Sequence, residues 1–95
     1  MSKLTLIDST DATLVGGPTT SLLSISLFNA EPPVAITCDI HDCASTGDLA
    51  AGNKVATIIC GQAANDASHI FDGVLFKKGL VVKLDVAGTC NVETE

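Results

Sequence analysis

The sequence predicts an all-β fold, an antiparallel β-sandwich or jelly roll of about seven or eight short strands. Three observations predict it. Apolar and polar residues alternate with a period of two along several segments, the pattern of strands with one buried and one wet face. Clusters of Gly, Pro, Asn and Asp interrupt these segments roughly every ten residues, as in sandwiches and barrels. No segment offers the roughly ten to fifteen residues of helical spacing that the crossovers of a parallel α/β fold require.

Taken in chain order, residues 3–8 and 12–15 are short strands or parts of an arm, and Gly16-Gly17-Pro18 is a turn. The segment 22–28 is the clearest strand, with Leu23, Ile25 and Leu27 on one side and Ser24 and Ser26 on the other. Pro32-Pro33 breaks the chain. A second alternating run places Val34, Ile36, Cys38 and Ile40 inward against Ala35, Thr37, Asp39 and His41. Residues 42–53 are rich in Ala, Ser, Gly, Asp and Asn and read as a surface loop of about a dozen residues with room for one helical turn. Loops of that length commonly carry function or docking.

A strand resumes over 54–60, turn chemistry interrupts it over 61–66, and 67–71 forms another strand. Asp72-Gly73 supplies a turn, and Lys78-Gly79 a looser one. Leu80, Val82, Leu84 and Val86 then face inward against Val81, Lys83 and Asp85. Ala87-Gly88 turns the chain into a last strand, where Cys90 and Val92 alternate with Asn91 and Glu93.

A chain of 95 residues holds one core. The expected organisation is an N-terminal arm or pair of short strands over 1–20, packed on or exchanged with neighbours, followed by a sandwich domain over 21–95. A domain of this size buries only roughly 60 to 65 per cent of the surface its unfolded chain exposes, so a partner surface would add stability. Hydrophobic residues make up 46% of the chain but only Phe28, Phe71 and Phe76 are aromatic, so Leu, Ile, Val and Ala must build the core. The three Phe residues, each beside an apolar run, are expected in that core.

Five lysines, no arginine and eleven acidic residues give a net charge of −6. Binding to a phosphate backbone depends on clustered cations, and the lysines form no cluster beyond the Lys77-Lys78 pair, so nucleic acid is disfavoured as a partner. The same holds for anionic lipid. No run of about 18 apolar residues is present to span a bilayer as a helix. The N-terminus lacks the basic-then-apolar pattern of a secretory signal, and the expectation is a soluble chain made in the cytosol.

Four cysteines and two histidines are the residues with most chemical potential. Cys38, His41 and Cys43 lie close enough in sequence for a metal site, which zinc would need completed by a fourth ligand such as Cys60, His69 or Cys90. Against this, an unbroken strand turns Cys38 and His41 to opposite faces. Cys38, Cys60 and Cys90 are in phase with Ile36, Ile58 and Val92, which makes them small core hydrophobes, and Cys43 falls in the loop. Without a secretory signal all four are expected as free thiols.

A nucleophile needs a His base oriented by a carboxylate, and although Asp39, His41 and Asp42 supply those two types, no motif joins them to a Ser or Cys. His41 on an outer strand face is expected to be solvated. No phosphate-cradling loop, dinucleotide fingerprint or calcium loop is present, so no cofactor is expected. Sugar and nucleobase binding lean on exposed aromatic faces, and the chain has neither Trp nor Tyr.

The order of segments resembles that of small virion structural proteins of tailed bacteriophages, especially those of marine and cyanobacterial hosts. The resemblance covers about residues 22–95 and rests on strands like 22–29, 34–39 and 55–60, the Ala/Ser/Gly-rich loop between the last two, and the block Asp72-Gly73-Val74-Leu75-Phe76-Lys77-Lys78-Gly79-Leu80. The four cysteines, and the lack of an aromatic pair closing the final strand, depart from that group. The resemblance implies a non-enzymatic capsid decoration or cement protein that reinforces the shell, with the major capsid protein or other virion proteins as partners. A tail or fibre-base module is the alternative it implies, and a small metal-binding protein using Cys38, His41 and Cys43 is the alternative outside it. A homo-oligomer, trimer or dimer, is expected on symmetry grounds. Leu4, Leu6, Leu14, Val15 and Leu22 are the apolar positions expected to be spare for contact with a neighbour.

Overall fold

The alternating runs pair into one long antiparallel ribbon. The computed structural model describes residues 2–29, 34–62 and 66–95. In it the chain forms β1 (Lys3–Ile7), β2 (Thr13–Gly16), β3 (Thr20–Phe28), β4 (Ile36–Asp42), β5 (Lys54–Cys60), β6 (Asp66–Phe76), β7 (Leu80–Leu84) and β8 (Thr89–Thr94). β4 pairs with β5, β3 with β6, β2 with β7 and β1 with β8, so the chain doubles back on itself about the loop between β4 and β5. The doubled ribbon then winds, bringing β8 against β3 and β7 against β4.

Two four-stranded sheets result, ordered β1-β8-β3-β6 and β2-β7-β4-β5. The expected antiparallel sandwich is therefore present, with the strand order of an eight-stranded jelly roll. Only the β4–β5 loop joins neighbours within one sheet; every other connection crosses between sheets. Pro32-Pro33 lies outside the described residues.

The core fills the space between the sheets. Leu22, Ile25 and Leu27 of β3, Ile36, Cys38 and Ile40 of β4, Leu80, Val82 and Leu84 of β7, and Cys90 and Val92 of β8 are wholly buried, with Phe76 closing one end. Each large side chain so buried contributes roughly 1.5–3 kcal/mol of transfer free energy. Among the aromatics only Phe76 is fully inside; Phe71 packs partly buried against the core and Phe28 is 39% exposed, contrary to the expectation that all three would be core.

Of the two readings of the N-terminal segment, short strands or an arm, the structure has the short strands, and they lie within this sandwich. β1 and β2 pair with β8 and β7 of the same chain, and Ile7 and Val15 enter the core cluster. A register shift between Leu22 and Ser24 explains a second departure. It turns Leu22 inward with Ile25 and Leu27 and leaves Leu23 only half-buried, where plain alternation assigns Leu23 to the inner face. Leu22 and Val15 are thus core residues and not spare contact positions.

The Asp72-Gly73 pair also acts differently from the expected turn. β6 runs straight through it as a single strand, and the pair forms a bulge: three residues of β6 lie between the Leu22–Val74 and Ser24–Ile70 partners, against one residue of β3. Both residues take positive φ, 56° at Asp72 and 88° at Gly73, the left-handed region open to Gly and tolerated by Asp. Beyond the bulge β6 ends at Phe76 and the chain crosses to β7 in the other sheet.

Candidate interaction surfaces

The described residues enclose no pocket. The residues that sequence spacing grouped as metal ligands are separated by the strand. Cys38 points into the core, while His41, on the other side of β4, is buried beneath the β4–β5 loop. Its Nδ1 lies 2.7 Å from Asn53 Oδ1, and because that oxygen only accepts, Nδ1 donates. Asn53 Oδ1 also accepts the Ala50 amide at 3.2 Å, and its Nδ2 donates to the Asp48 carbonyl at 2.8 Å.

Asn53 therefore ties the loop, with its two 3₁₀ turns Thr46–Asp48 and Ala51–Asn53, across the outer face of the second sheet. Val81, cross-strand partner of His41, is wholly buried although its neighbours Leu80 and Val82 face the core. His41 is 5% exposed and so is not the solvated residue that outward alternation predicts.

Cys43 is buried too, and its thiol donates to the Ser45 carbonyl at 3.5 Å. Burial, reinforced by the charge of Asp48, pushes that thiol up from its ordinary value. Among the described residues no three of His, Cys, Asp and Glu gather in a way that holds a metal ion. Nor do Asp39 and Asp42 orient His41: Asp39 accepts from Thr57 Oγ1 at 3.0 Å and meets Lys54 at 3.6 Å, and Asp42 faces the β6–β7 connection.

That Asp42 contact accounts for the block on which the sequence resemblance rests. Its carboxylate accepts the backbone N–H of Lys78 at 2.8 Å, of Lys77 at 3.2 Å and of Gly79 at 3.3 Å. Desolvation works against the charged form, but the three amides, Lys78 foremost, outweigh it and hold the carboxyl below its ordinary range. Just before the connection Phe76 is buried, and just after it Leu80 is buried. Gly79 has φ +155°, and a Cβ there would stand 2.6 Å from the Cys43 carbonyl oxygen. The Phe-x-x-Gly-Leu spacing is thus the signature of a tight crossover between sheets, clamped by a carboxylate from β4. Nothing in the local sequence marks Asp42 as the partner, because it lies 36 residues before Lys78.

Exposed aliphatic side chains are concentrated on the edge strands. On the outer face of the first sheet, cross-strand pairing sets Leu4, Glu93, Ser24 and Ile70 in one row and Leu6, Asn91, Ser26 and Ser68 in the next. Leu4 is 71% exposed, Leu6 62% and Ile70 79%, so aliphatic side chains stand proud along both edge strands, β1 and β6. Between them lies a stripe of short polar residues, in which Ser24 Oγ donates to Glu93 Oε1 at 3.2 Å. On the second sheet Leu14, Val55 and Ile59 are likewise exposed on the edge strands β2 and β5. Sequence reading anticipated Leu4, Leu6 and Leu14; it missed Ile59, Ile70 and Leu75, whose strands read as ordinary half-buried ones until their edge positions are known.

No protein-family model matches the chain, and no curated protein matches it.

Proposed function

We propose that this chain is a non-enzymatic virion structural protein that binds the capsid surface as a decoration or cement protein and reinforces the shell. The observation that carries the reading is a jelly roll whose exposed aliphatic side chains line the outer edges, Leu4 and Leu6 above all. Apolar surface of that kind is stabilised by burial against another subunit, at roughly 25 cal/mol per Å² removed from water. Jelly rolls recur in viral capsid and lectin domains. That is analogy at the level of fold, and function rests on the surface. The lectin side of the analogy lacks support, because sugar binding draws on exposed aromatic rings and Phe28 is the only aromatic residue among the large exposed hydrophobics.

The partners are the major capsid protein or other virion proteins, and assembly as a symmetric homo-oligomer, trimer or dimer, fits a role on a symmetric shell. Free edges at β1 and β6 allow main-chain pairing across subunits in addition to side-chain contact.

The test is to add purified protein to shells that lack it and measure association and resistance to heat. Wild-type protein should bind and raise the shell's melting temperature. The double variant Leu4→Ser/Leu6→Ser should fold with stability changed by less than about 0.5 kcal/mol, since both side chains are exposed, yet bind measurably less. No gain in shell stability at saturation would refute the reading. Copurification with tails and not heads would replace it with the tail-module alternative.

A further inference from the structure

Edge strand β1 keeps a bonding capacity that the other edges have spent. It pairs with β8 on one side, and its other side is a free sheet edge among the described residues, so alternate backbone N–H and C=O groups face outward. Thr5, at its centre, lies opposite the inward-facing Val92, and its Oγ1 is buried without a hydrogen-bond partner, alone in this among the buried side-chain oxygens and nitrogens described. A buried hydroxyl left unpaired is costly. Leu4 and Leu6 flank it on the outer face, 71% and 62% exposed. Lys3 and Asp8, at the two ends, are exposed and enter no ion pair among the described residues.

The other edges differ. β5 has a similar alternation, with Val55 and Ile59 exposed about Thr57, but the Thr57 hydroxyl already donates to Asp39 at 3.0 Å and Lys54 already meets that carboxylate at 3.6 Å. β6 carries a bulge and two acidic residues, Asp66 and Asp72, devices that discourage pairing at an edge. β2 is four residues long, with a register shift between Leu14 and Gly16.

We propose that β1 pairs with β1 of a second copy of this chain, antiparallel about a twofold axis through Thr5; the pairing rests on the homo-oligomer reading above and makes it a dimer with a defined interface. With Thr5 opposite Thr5 of the partner subunit, all five residues of β1 pair: Lys3 lies opposite Ile7 of the partner subunit, and Leu4 opposite Leu6 of the partner subunit. Directly opposed Cβ atoms stand about 4.5–5.5 Å apart, so the two Thr5 hydroxyls bond each other across the axis after rotation about χ1. Lys3 comes within one residue of the partner's Asp8, which sets opposite charges together in a chain of net charge −6. No like charges face each other, because Lys3 is the only charged residue of β1. The sheets β1-β8-β3-β6 of the two copies become one sheet, antiparallel throughout, and their four leucines gather in one patch on its outer face. Five residue pairs on each copy make a small interface, below about 1,200 Å², so association is weak.

Sedimentation equilibrium of the purified full chain, without shells, from about 1 μM to about 1 mM should show a reversible monomer–dimer equilibrium with a dissociation constant between about 10 μM and 1 mM. Thr5→Val removes the orphaned hydroxyl; it should leave the melting temperature equal or higher at about 1 μM, where monomer dominates, yet weaken the dimer about threefold. Lys3→Glu should also weaken it, and Lys3→Glu/Asp8→Lys should restore it. Under mild oxidation a mixture of the Leu4→Cys and Leu6→Cys variants should form a covalent dimer that neither forms alone, because only positions 4 and 6 are directly opposed. A chain that stays monomeric at about 1 mM, a trimer, a dimer indifferent to both Thr5→Val and the charge reversal, or cross-linking between Val55→Cys and Ile59→Cys instead would each overturn the proposal. Shell binding by a strictly monomeric chain sinks this pairing and leaves the shell reading standing, whereas a dimer that ignores shells does the reverse.

Discussion

Asp42 is the residue whose removal should do most damage for its exposure. Replacing it with Ala deletes the acceptor for three backbone amides at the β6–β7 connection. A hydrogen bond to a charged group is worth roughly 1.5–3 kcal/mol in general. Here the carboxylate is only half-buried and Lys77 and Lys78 are exposed, so water can take over part of the donors' needs and screen the charge. Discounted for that, Asp42→Ala should cost about 2 kcal/mol for the whole clamp. In a domain of this length that lowers the melting temperature by about 8–16 °C.

Asp42→Asn keeps an acceptor for Lys78 and Gly79 but can set an amide group against the Lys77 N–H, and should cost about 1 kcal/mol. With neither Trp nor Tyr in the chain, unfolding is best followed by far-ultraviolet circular dichroism in urea. The pH dependence gives the sharper test. Because the folded carboxyl titrates below its ordinary value, its contribution is fully present above about pH 4, the unfolded value, and is lost as pH falls through the lower folded value. The difference between wild type and Asp42→Asn should hold from pH 7 to pH 5 and shrink below pH 4. A cost under about 0.5 kcal/mol for Asp42→Ala at pH 7 would refute the clamp, since that is the range of an ordinary surface substitution. So would a wild-type to Asn difference that is unchanged at pH 3.

Gly79→Ala should destabilise by about 3 kcal/mol, because positive φ and the overlap with the Cys43 carbonyl act together, and urea unfolding at pH 7 reads it directly. Phe76→Ala empties the end of the core and should cost about 3–5 kcal/mol, with Phe76→Leu recovering more than half of that in the same assay. His41→Ala removes the anchor of the β4–β5 loop and should raise protease cleavage within residues 43–53 several-fold while leaving the rest of the sandwich resistant.

Much of the fold is legible in the sequence because period-two alternation is a property of single strands. The inward sets Ile36, Cys38, Ile40 and Leu80, Val82, Leu84 follow from it directly, as does the turn of Cys38 away from His41 that separates the metal-ligand candidates. Alternation fails where a register shift or a second layer intervenes. Leu22 replaces Leu23 inside because β3 slips by a residue, and His41 is buried on the wet side where Asn53 of the loop bonds to it, beside the equally buried Val81.

What the chain determined by itself was local: where strands lie, which residues within each share a face, and that no helix interrupts them. The winding of the ribbon decided everything that depends on residues distant in sequence. Asp42 meets Lys78, Cys38 and Cys90 enter one core from opposite sheets, and β1 and β6 become the edges on which Leu4, Leu6 and Ile70 stand exposed. The physical reason is that backbone stereochemistry sets alternation within a few residues, whereas a strand's place in a sheet depends on which distant partner its unpaired amides and carbonyls find.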